Sequence, residues 1–298
     1  MYSLAVAVPT HPAIGVVGLG LLGHAVASRL LAGGFPVVGY DVVADRVAEL
    51  ERLGGRGASA ASDAGAAEAV CVILPSLASV EEVVLGSDGL VVRGRPSQTI
   101  VQMSTISPAL TRRLAREVVA RGLHFLDCPI SGTSAMVAQG HGVVFAGGEP
   151  AVFERWRPML DAVLPRPVYV GEAGQAMVLK LVANLLVALH SAAAAEALAM
   201  ARRAGLDLDL VLDVLRDGAA GSRMLDVRGP LIVKGEFPAQ MKLELFMKDL
   251  HLIQDAAREV GSPLPLTDVA ERLYAAVHAA GHGAEDLSVV VKALEASP

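Results

Sequence analysis

Six residues constrain this chain more than any other segment. Gly18-Leu19-Gly20-Leu21-Leu22-Gly23 lies between a β-branched run, Ile14-Gly15-Val16-Val17, and a helical pattern over 21–31. Glycines at this spacing in a strand-to-helix turn allow a tight reversal, a close approach of backbone to ligand, and tight packing of helix on strand. The helix start adds N–H groups without carbonyl partners and the positive end of the helix dipole, which together suit phosphate. Glycines also gather in ordinary loops, so the hexapeptide draws its force from context. A second run, Pro36-Val37-Val38-Gly39-Tyr40, ends at Asp41, an acid about 20 residues beyond the glycines, where a dinucleotide's ribose would be held. This context predicts a dinucleotide site on Gly18, Leu19, Gly20, Leu21, Leu22, Gly23 and Asp41. The aspartate would accept from ribose hydroxyls and repel a 2′-phosphate, which favours NAD; Arg46 nearby softens the preference and admits NADP. Asp41 also fits a plain turn before Val42. His24 either donates to a phosphate or is simply solvated.

The rest of the first half repeats the alternation. Val70-Cys71-Val72-Ile73-Leu74 stops at Pro75, Thr99-Ile100-Val101 leads into a helix over 108–120, and His124-Phe125-Leu126 and Val143-Val144-Phe145 precede a helix over 151–163. That order predicts βαβ units and a parallel sheet. After Gly171 the pattern changes. Gln175–Arg203 is rich in Ala, Leu and Met, contains no Gly or Pro, and reads as one long helix. Helical patterns over 207–216, 240–260, 266–280 and 285–295 follow, with Leu231-Ile232-Val233 as a short strand candidate. The expected fold is α/β: a Rossmann-type parallel-sheet domain over 1–172 and an all-α domain over 173–298, joined by the long helix. Residues 1–10 fit neither and are read as a mobile tail.

Composition narrows the function. With 53% hydrophobic residues, 19% charged residues and a formal net charge of −6, the chain is globular and too acidic to offer a nucleic-acid surface. An anionic substrate must therefore meet local cations. Cys71 and Cys128 sit in apolar runs and read as reduced core residues of a cytoplasmic protein. The uncharged stretch before Arg29 lacks the basic start of a signal peptide and is broken by glycines. The apolar run over 181–195 carries Asn184, His190 and Ser191 and is short for a span of about 20 residues. No membrane segment is expected. No metal site is expected either, since Gly281 interrupts the pair His278 and His282.

Lys180 stands in the otherwise apolar long helix, with Asn184 one turn later on the same face. A lysine between Leu179 and Leu181 can snorkel at an interface; beside Asn184 and after a nucleotide fold it also suits a general acid/base. Five blocks then occur in order: the glycine turn; Ser104-Thr105-Ile106-Ser107-Pro108; Asp127-Cys128-Pro129-Ile130-Ser131-Gly132; Gly171-Glu172-Ala173-Gly174 leading to Lys180 and Asn184; and Phe237 leading to Lys248-Asp249-Leu250. Through them the chain resembles the β-hydroxyacid dehydrogenase family, typified by 3-hydroxyisobutyrate dehydrogenase, over about residues 14–294.

The resemblance implies hydride transfer between NAD(H) and the alcohol or carbonyl carbon of a small carboxylate-bearing 3-hydroxyacid. It implies Lys180 as the catalytic lysine and Asn184 as a substrate-holding amide. Ser131, Gly132 and Thr133 fall on the carboxylate-binding loop, and Leu74, Pro75 and Thr105 line the dinucleotide path. Lys248 matches a lysine near the nicotinamide, and Asp249 its acidic neighbour. Independently of the resemblance, the long apolar helix, with Ala192 to Ala195 permitting close approach, is expected to pack against another copy of the chain, giving a homodimer or homotetramer with the active site between the domains. Ordinary alternatives accompany these: Ser107-Pro108 is also an N-cap and N1 pair, Ser131-Gly132 a plain loop, and Lys248-Asp249 a solvated helix face. Where this chain has Thr133 the family commonly has glycine, so the usual substrate does not follow. Two other readings share the architecture, an imine reductase-like enzyme, a group that generally lacks the lysine, and a non-catalytic NAD(P)-binding sensor.

Overall fold

The computed structural model describes residues 11–295; the tail expected over 1–10 lies outside the described residues. The chain divides into two compact units, Met1–Lys180 and Leu181–Pro298.

The first unit is built on nine strands: β1 (Ile14–Val17), β2 (Val37–Tyr40), β3 (Arg56–Gly57), β4 (Ala69–Val72), β5 (Thr99–Gln102), β6 (His124–Asp127), β7 (Ile130–Ser131), β8 (Val143–Gly148) and β9 (Val168–Gly171). They form one sheet in the order β3-β2-β1-β4-β5-β6-β8-β7, with β9 on β8. Strands β1 to β6 pair in parallel. β1, β4 and β5 are buried at every position, as a sheet covered on both faces requires. On one side Val26 and Leu30 of helix Leu21–Ala32 join Phe153, Trp156 and Met159 of helix Pro150–Val163 in a core. On the other, Val80 and Val84 of Leu77–Leu85 join Leu114 and Val118 of Pro108–Ala120. Both cysteines lie in the first of these cores, where burial pushes the Cys71 thiol up to about 12 and raises Cys128 as well.

The far edge departs from an all-parallel sheet, because β8 runs antiparallel to both β6 and β7. Between Asp127 and Val143 the chain has only β7 and the five-residue helix Ser134–Ala138. That is too little to carry it across the sheet and back into parallel register. The strand order reverses between β1 and β4. There the connections leave toward opposite sides and open a crevice at the strands' carboxyl ends.

The second unit is helical. Gln175–Arg203 begins in the first unit and continues through this one, followed by Leu208–Asp217, Arg223–Lys234, Leu243–Glu259, Pro265–Val277 and Val291–Glu295. The strand expected at Leu231-Ile232-Val233 is instead the end of helix Arg223–Lys234. Ser222 Oγ caps that helix by accepting from the Leu225 N–H at 3.1 Å. Gly235, at φ +70°, ends it. The strand preference of Ile232 and Val233 yields to a capped helix that buries Leu225, Arg228 and Ile232. At its centre Arg228 Nε meets Asp286 Oδ1 at 3.1 Å, with both side chains buried. The Tyr274 hydroxyl donates to the Ala188 carbonyl at 2.9 Å.

Among the described residues, Gln175–Arg203 is the one helix long and apolar enough to cross a membrane, and 44% of its most apolar window is buried inside the chain. Ala192, Ala194 and Ala195 are among the buried positions, whereas Val178, Val182, Leu186 and Met200 are exposed.

Candidate active site

The glycine turn shows which of its glycines the protein itself demands. Gly18 has φ +95°, and a Cβ there would collide with the Ile73 carbonyl oxygen; a Cβ on Gly23 would collide with the Gly18 carbonyl. A Cβ on Gly20 would meet nothing within 4 Å. Two glycines are therefore explained by internal packing, and the third leaves open space over the helix start. Gly20 itself is the N-cap and supplies no side-chain bond, so the first-turn N–H groups face outward for a partner. Asp41, at the end of β2, is drawn into the same turn. Its Oδ2 accepts from the Leu19 N–H at 2.8 Å and its Oδ1 from the Val43 N–H at 2.9 Å. Arg46 lies 3.3 Å from both oxygens. A cleft of about 380 Å³ opens beside it, lined by Tyr40, Asp41, Val42, Ala44, Val47 and Ser59, among others.

Leu74, Pro75 and Thr105 follow the neighbouring strand ends. Ser104 Oγ accepts from the Leu74 N–H at 2.8 Å and donates to the Val72 carbonyl at 3.2 Å. The Gln102 side chain closes on the Ser104 backbone from the other direction. These bonds tie the ends of β4 and β5 together at the edge where the glycine turn leaves β1. Ser107 does cap its helix, its Oγ accepting from the Leu110 N–H at 3.1 Å.

Ser131, Gly132 and Thr133 stand on their own loop after β7. Thr133 Oγ1 accepts from the Met136 N–H at 3.2 Å, so its lone pair serves the short helix and its O–H remains a donor. Behind this loop lies Asp127, which sequence reasoning passed over. Its side chain is fully buried, and Oδ2 accepts from the Gly174 and Met177 N–H groups at 2.9 and 3.0 Å. Oδ1 has no hydrogen-bond partner among the described residues. Burial pushes this carboxyl up to about 7, against the two N–H bonds that pull it down. The available hint was an aspartate closing an apolar strand just before the loop.

Lys180 is 7% exposed and Asn184 4%, one turn apart on the long helix. In the second unit the Asn184 amide donates to Asp249 Oδ2 at 2.8 Å. Lys248 Nζ lies 3.4 Å from Asp249 Oδ1. Asp249 is buried while Lys248 keeps a partly open side chain. The structure thus joins the sequence-predicted residues into separate groups: the glycine turn with Asp41, Leu74 with the Ser104 that precedes Thr105, and Asn184 with Asp249 and Lys248.

Comparison with known proteins gives this arrangement its family. Residues 13–171 match the model of the NAD-binding domain of 6-phosphogluconate dehydrogenase. Residues 173–294 match the model described as NAD-binding of NADP-dependent 3-hydroxyisobutyrate dehydrogenase. Over 282 residues the chain is 34% identical to L-threonate dehydrogenase of Escherichia coli strain K12, covering 94% of this chain and 93% of that one. The chain belongs to the 3-hydroxyisobutyrate dehydrogenase family. A second relative, 2-hydroxy-3-oxopropionate reductase of the same strain, is 34% identical over 95% of this chain and 97% of its own. The crystal structure of 3-hydroxyisobutyrate dehydrogenase from Salmonella typhimurium has a TM-score of 0.86 at 35% identity, covering 94% of this chain and 99% of that one. As a β-hydroxyacid dehydrogenase, this protein is an NAD(P)-dependent oxidoreductase with a Rossmann-type sheet domain and a helical domain. Its residues fit that cofactor, because open space over Gly20 and an uncapped helix start are what a pyrophosphate needs.

Proposed function

We propose that this β-hydroxyacid dehydrogenase moves a hydride between NAD(P) and the alcohol carbon of a small 3-hydroxyacid, with Lys180 as general acid/base. The observation that carries the reading is a buried lysine one helix turn from a buried asparagine whose amide is fixed by Asp249. Bound NAD(P) supplies the hydride acceptor or donor. Lys180 takes the hydroxyl proton as the alcohol is oxidised, and in the reverse direction returns it and steadies developing alkoxide charge. Asn184 holds the substrate, oriented by Asp249, and Lys248 stands as the cation by the nicotinamide. The Ser131 and Thr133 hydroxyls and the Gly132 and Thr133 N–H groups receive the carboxylate. On the cofactor side, residues 18–23, Leu74, Pro75 and Thr105 line the dinucleotide. Asp41 takes the ribose and favours NAD, while Arg46 leaves NADP usable.

Similarity to proteins named for L-threonate and 2-hydroxy-3-oxopropionate supports a substrate with a hydroxyl beside the carboxylate as well as one at the reacting carbon. Hydroxyls on Ser131, Thr133 and Ser134 suit such an acid. In this reading residues 1–172 carry the dinucleotide and 173–298 complete the substrate site. The exposed apolar positions Val178, Val182 and Leu186 support association with a second copy. The enzyme is placed in the cytoplasm, without nucleic-acid or membrane partners.

A panel of hydroxyacids and aldehyde acids, L-threonate and 2-hydroxy-3-oxopropionate included, followed by NADH absorbance, tests the reading. Lys180→Ala should lower kcat by about 10²–10⁴-fold while NADH titration stays unchanged. Near-normal turnover by that variant overturns the lysine's role. Tight NADH binding with no turnover on any acid would favour a nucleotide sensor.

A further inference from the structure

Among the described residues of the first unit, Asp127 and Lys180 are the two buried charged residues, and both belong to the start of the long helix, one as its cap and one in its second turn. The long helix begins at Gln175, and the Gln175 N–H is taken by the Glu172 carbonyl. Asp127 supplies acceptors to Gly174 and Met177 on either side of it. It is an N-cap delivered from another element, 47 and 50 residues away in sequence. Met177 stands three residues before Lys180, on the same face of the helix. In the other direction, the chain leaves β6 at Asp127 and runs through Cys128 and Pro129 into β7, which ends at Ser131.

We infer that Asp127 is a positioning residue, which fastens the strand end leading to the 131–133 loop onto the helix turn carrying Lys180 and thereby sets where the amine stands relative to that loop. The inference rests on the acid/base reading of Lys180.

The chemistry of the position supports a use beyond stability. An asparagine carbonyl could accept the same two N–H bonds without the cost of a buried charge, but its NH2 would stand at the Oδ1 position, which has no hydrogen-bond partner among the described residues. The carboxylate binds N–H groups roughly twice as strongly when ionised as a neutral acceptor does. It also meets the positive end of the helix dipole. Burial holds its protonation near neutral pH, so the strength of the fastening changes there. Few other groups share its surroundings. β5 and β8 carry no ionisable side chain, and those on Pro108–Ala120 and Pro150–Val163 are exposed, as is Glu172. Among the described residues, the Cys128 thiol feels the Asp127 charge together with that of Cys71, and the Arg112 side chain passes beside Gly174.

The test pairs Asp127→Asn with two measurements. In steady-state kinetics on the best hydroxyacid, Asp127→Asn should lower kcat about ten-fold and leave KM for NAD within about two-fold. The inflection that Asp127 adds near neutral pH should vanish from its rate profile. In the wild type, hydrogen exchange at the Met177 amide, corrected for intrinsic rate, should lose protection as pH rises through about 7, because the closed site holds a proton that the opened one releases. Wild-type kcat and profile in Asp127→Asn, or Met177 protection independent of pH, overturns the inference. Lys180→Ala separates the two failures. If that variant keeps turnover, the acid/base reading falls; if it is inactive while Asp127→Asn behaves as wild type, only the positioning role falls. The exchange measurement needs no variant, so it decides even if Asp127→Asn folds poorly.

Discussion

The carboxylates of Asp127 in the sheet unit and Asp286 in the helical unit are both fully buried, yet the two units treat them differently. Asp286 meets a guanidinium, Arg228 Nε at 3.1 Å, and also accepts from the Gln240, Met241 and Ser288 N–H groups and the Ser288 hydroxyl. Asp127 has two backbone N–H groups and one oxygen left over. In the helical unit a buried charge is matched by an opposite one and pins a loop to a helix. In the sheet unit it is set against peptide dipoles alone, so protonation becomes a competing way to relieve it. The contrast shows how one residue type, equally buried, serves as a fixed joint in one place and a titrating one in another.

The sharpest way to break the comparison is to remove the cation. Arg228→Leu should cost about 3–5 kcal/mol, because an uncompensated carboxylate remains inside; chemical denaturation measures it, and a loss below about 1 kcal/mol would make Asp286 no better matched than Asp127. Next comes Asp127→Asn, whose effect depends on pH. The folded-state pKa of Asp127 is raised to about 7, above an unfolded value near 3.9. The stability it contributes is therefore complete below about pH 4 and lost as pH rises through 7. The asparagine variant should gain on the wild type over that window, by no more than about 4 kcal/mol, and hold the gain above it. A melting-temperature difference that stays constant with pH would remove the titrating joint.

Gly20→Ala carries the contrast into the cofactor turn, where the protein's own packing and ligand space can be separated. The variant should fold with little change and bind NADH about ten-fold more weakly, a cost of about 1.4 kcal/mol, whereas Gly23→Ala should fail at folding. The smallest effects belong to features the units share. Ser107→Ala and Ser222→Ala each remove an N-cap bond and should each cost about 1 kcal/mol, with the first leaving the helical unit's hydrogen exchange untouched.

Much of the fold was legible because its rules are short-ranged. The glycine spacing, the acid at the end of the second strand and the Ser107-Pro108 helix start each depend on neighbours within a few residues, and each appears where the pattern put it. The long helix over Gln175–Arg203 was readable from composition alone. Leu231-Ile232-Val233 was misread because β-branched preference is weak against a capped, buried helix. The direction of β8 was not legible, since no local pattern states which neighbour a strand will pair with. In the candidate site, Lys180 and Asn184 stood out by their spacing on one helix; Asp249 came only through the resemblance, and its bond to the Asn184 amide was not legible.

What the amino-acid order settled by itself is whatever nearest neighbours along the chain can enforce: the turn geometry, the helix and strand periods, and the alternation that makes a doubly covered sheet. Tertiary structure alone decided the pairings that span long stretches of chain, Asp127 with Gly174 and Met177, Arg228 with Asp286 across 58 residues, and Asn184 with Asp249 across 65. Such contacts form only after separate segments have packed, when desolvation makes a buried polar group find a partner or titrate. The identity of that partner is written in three dimensions rather than in sequence spacing.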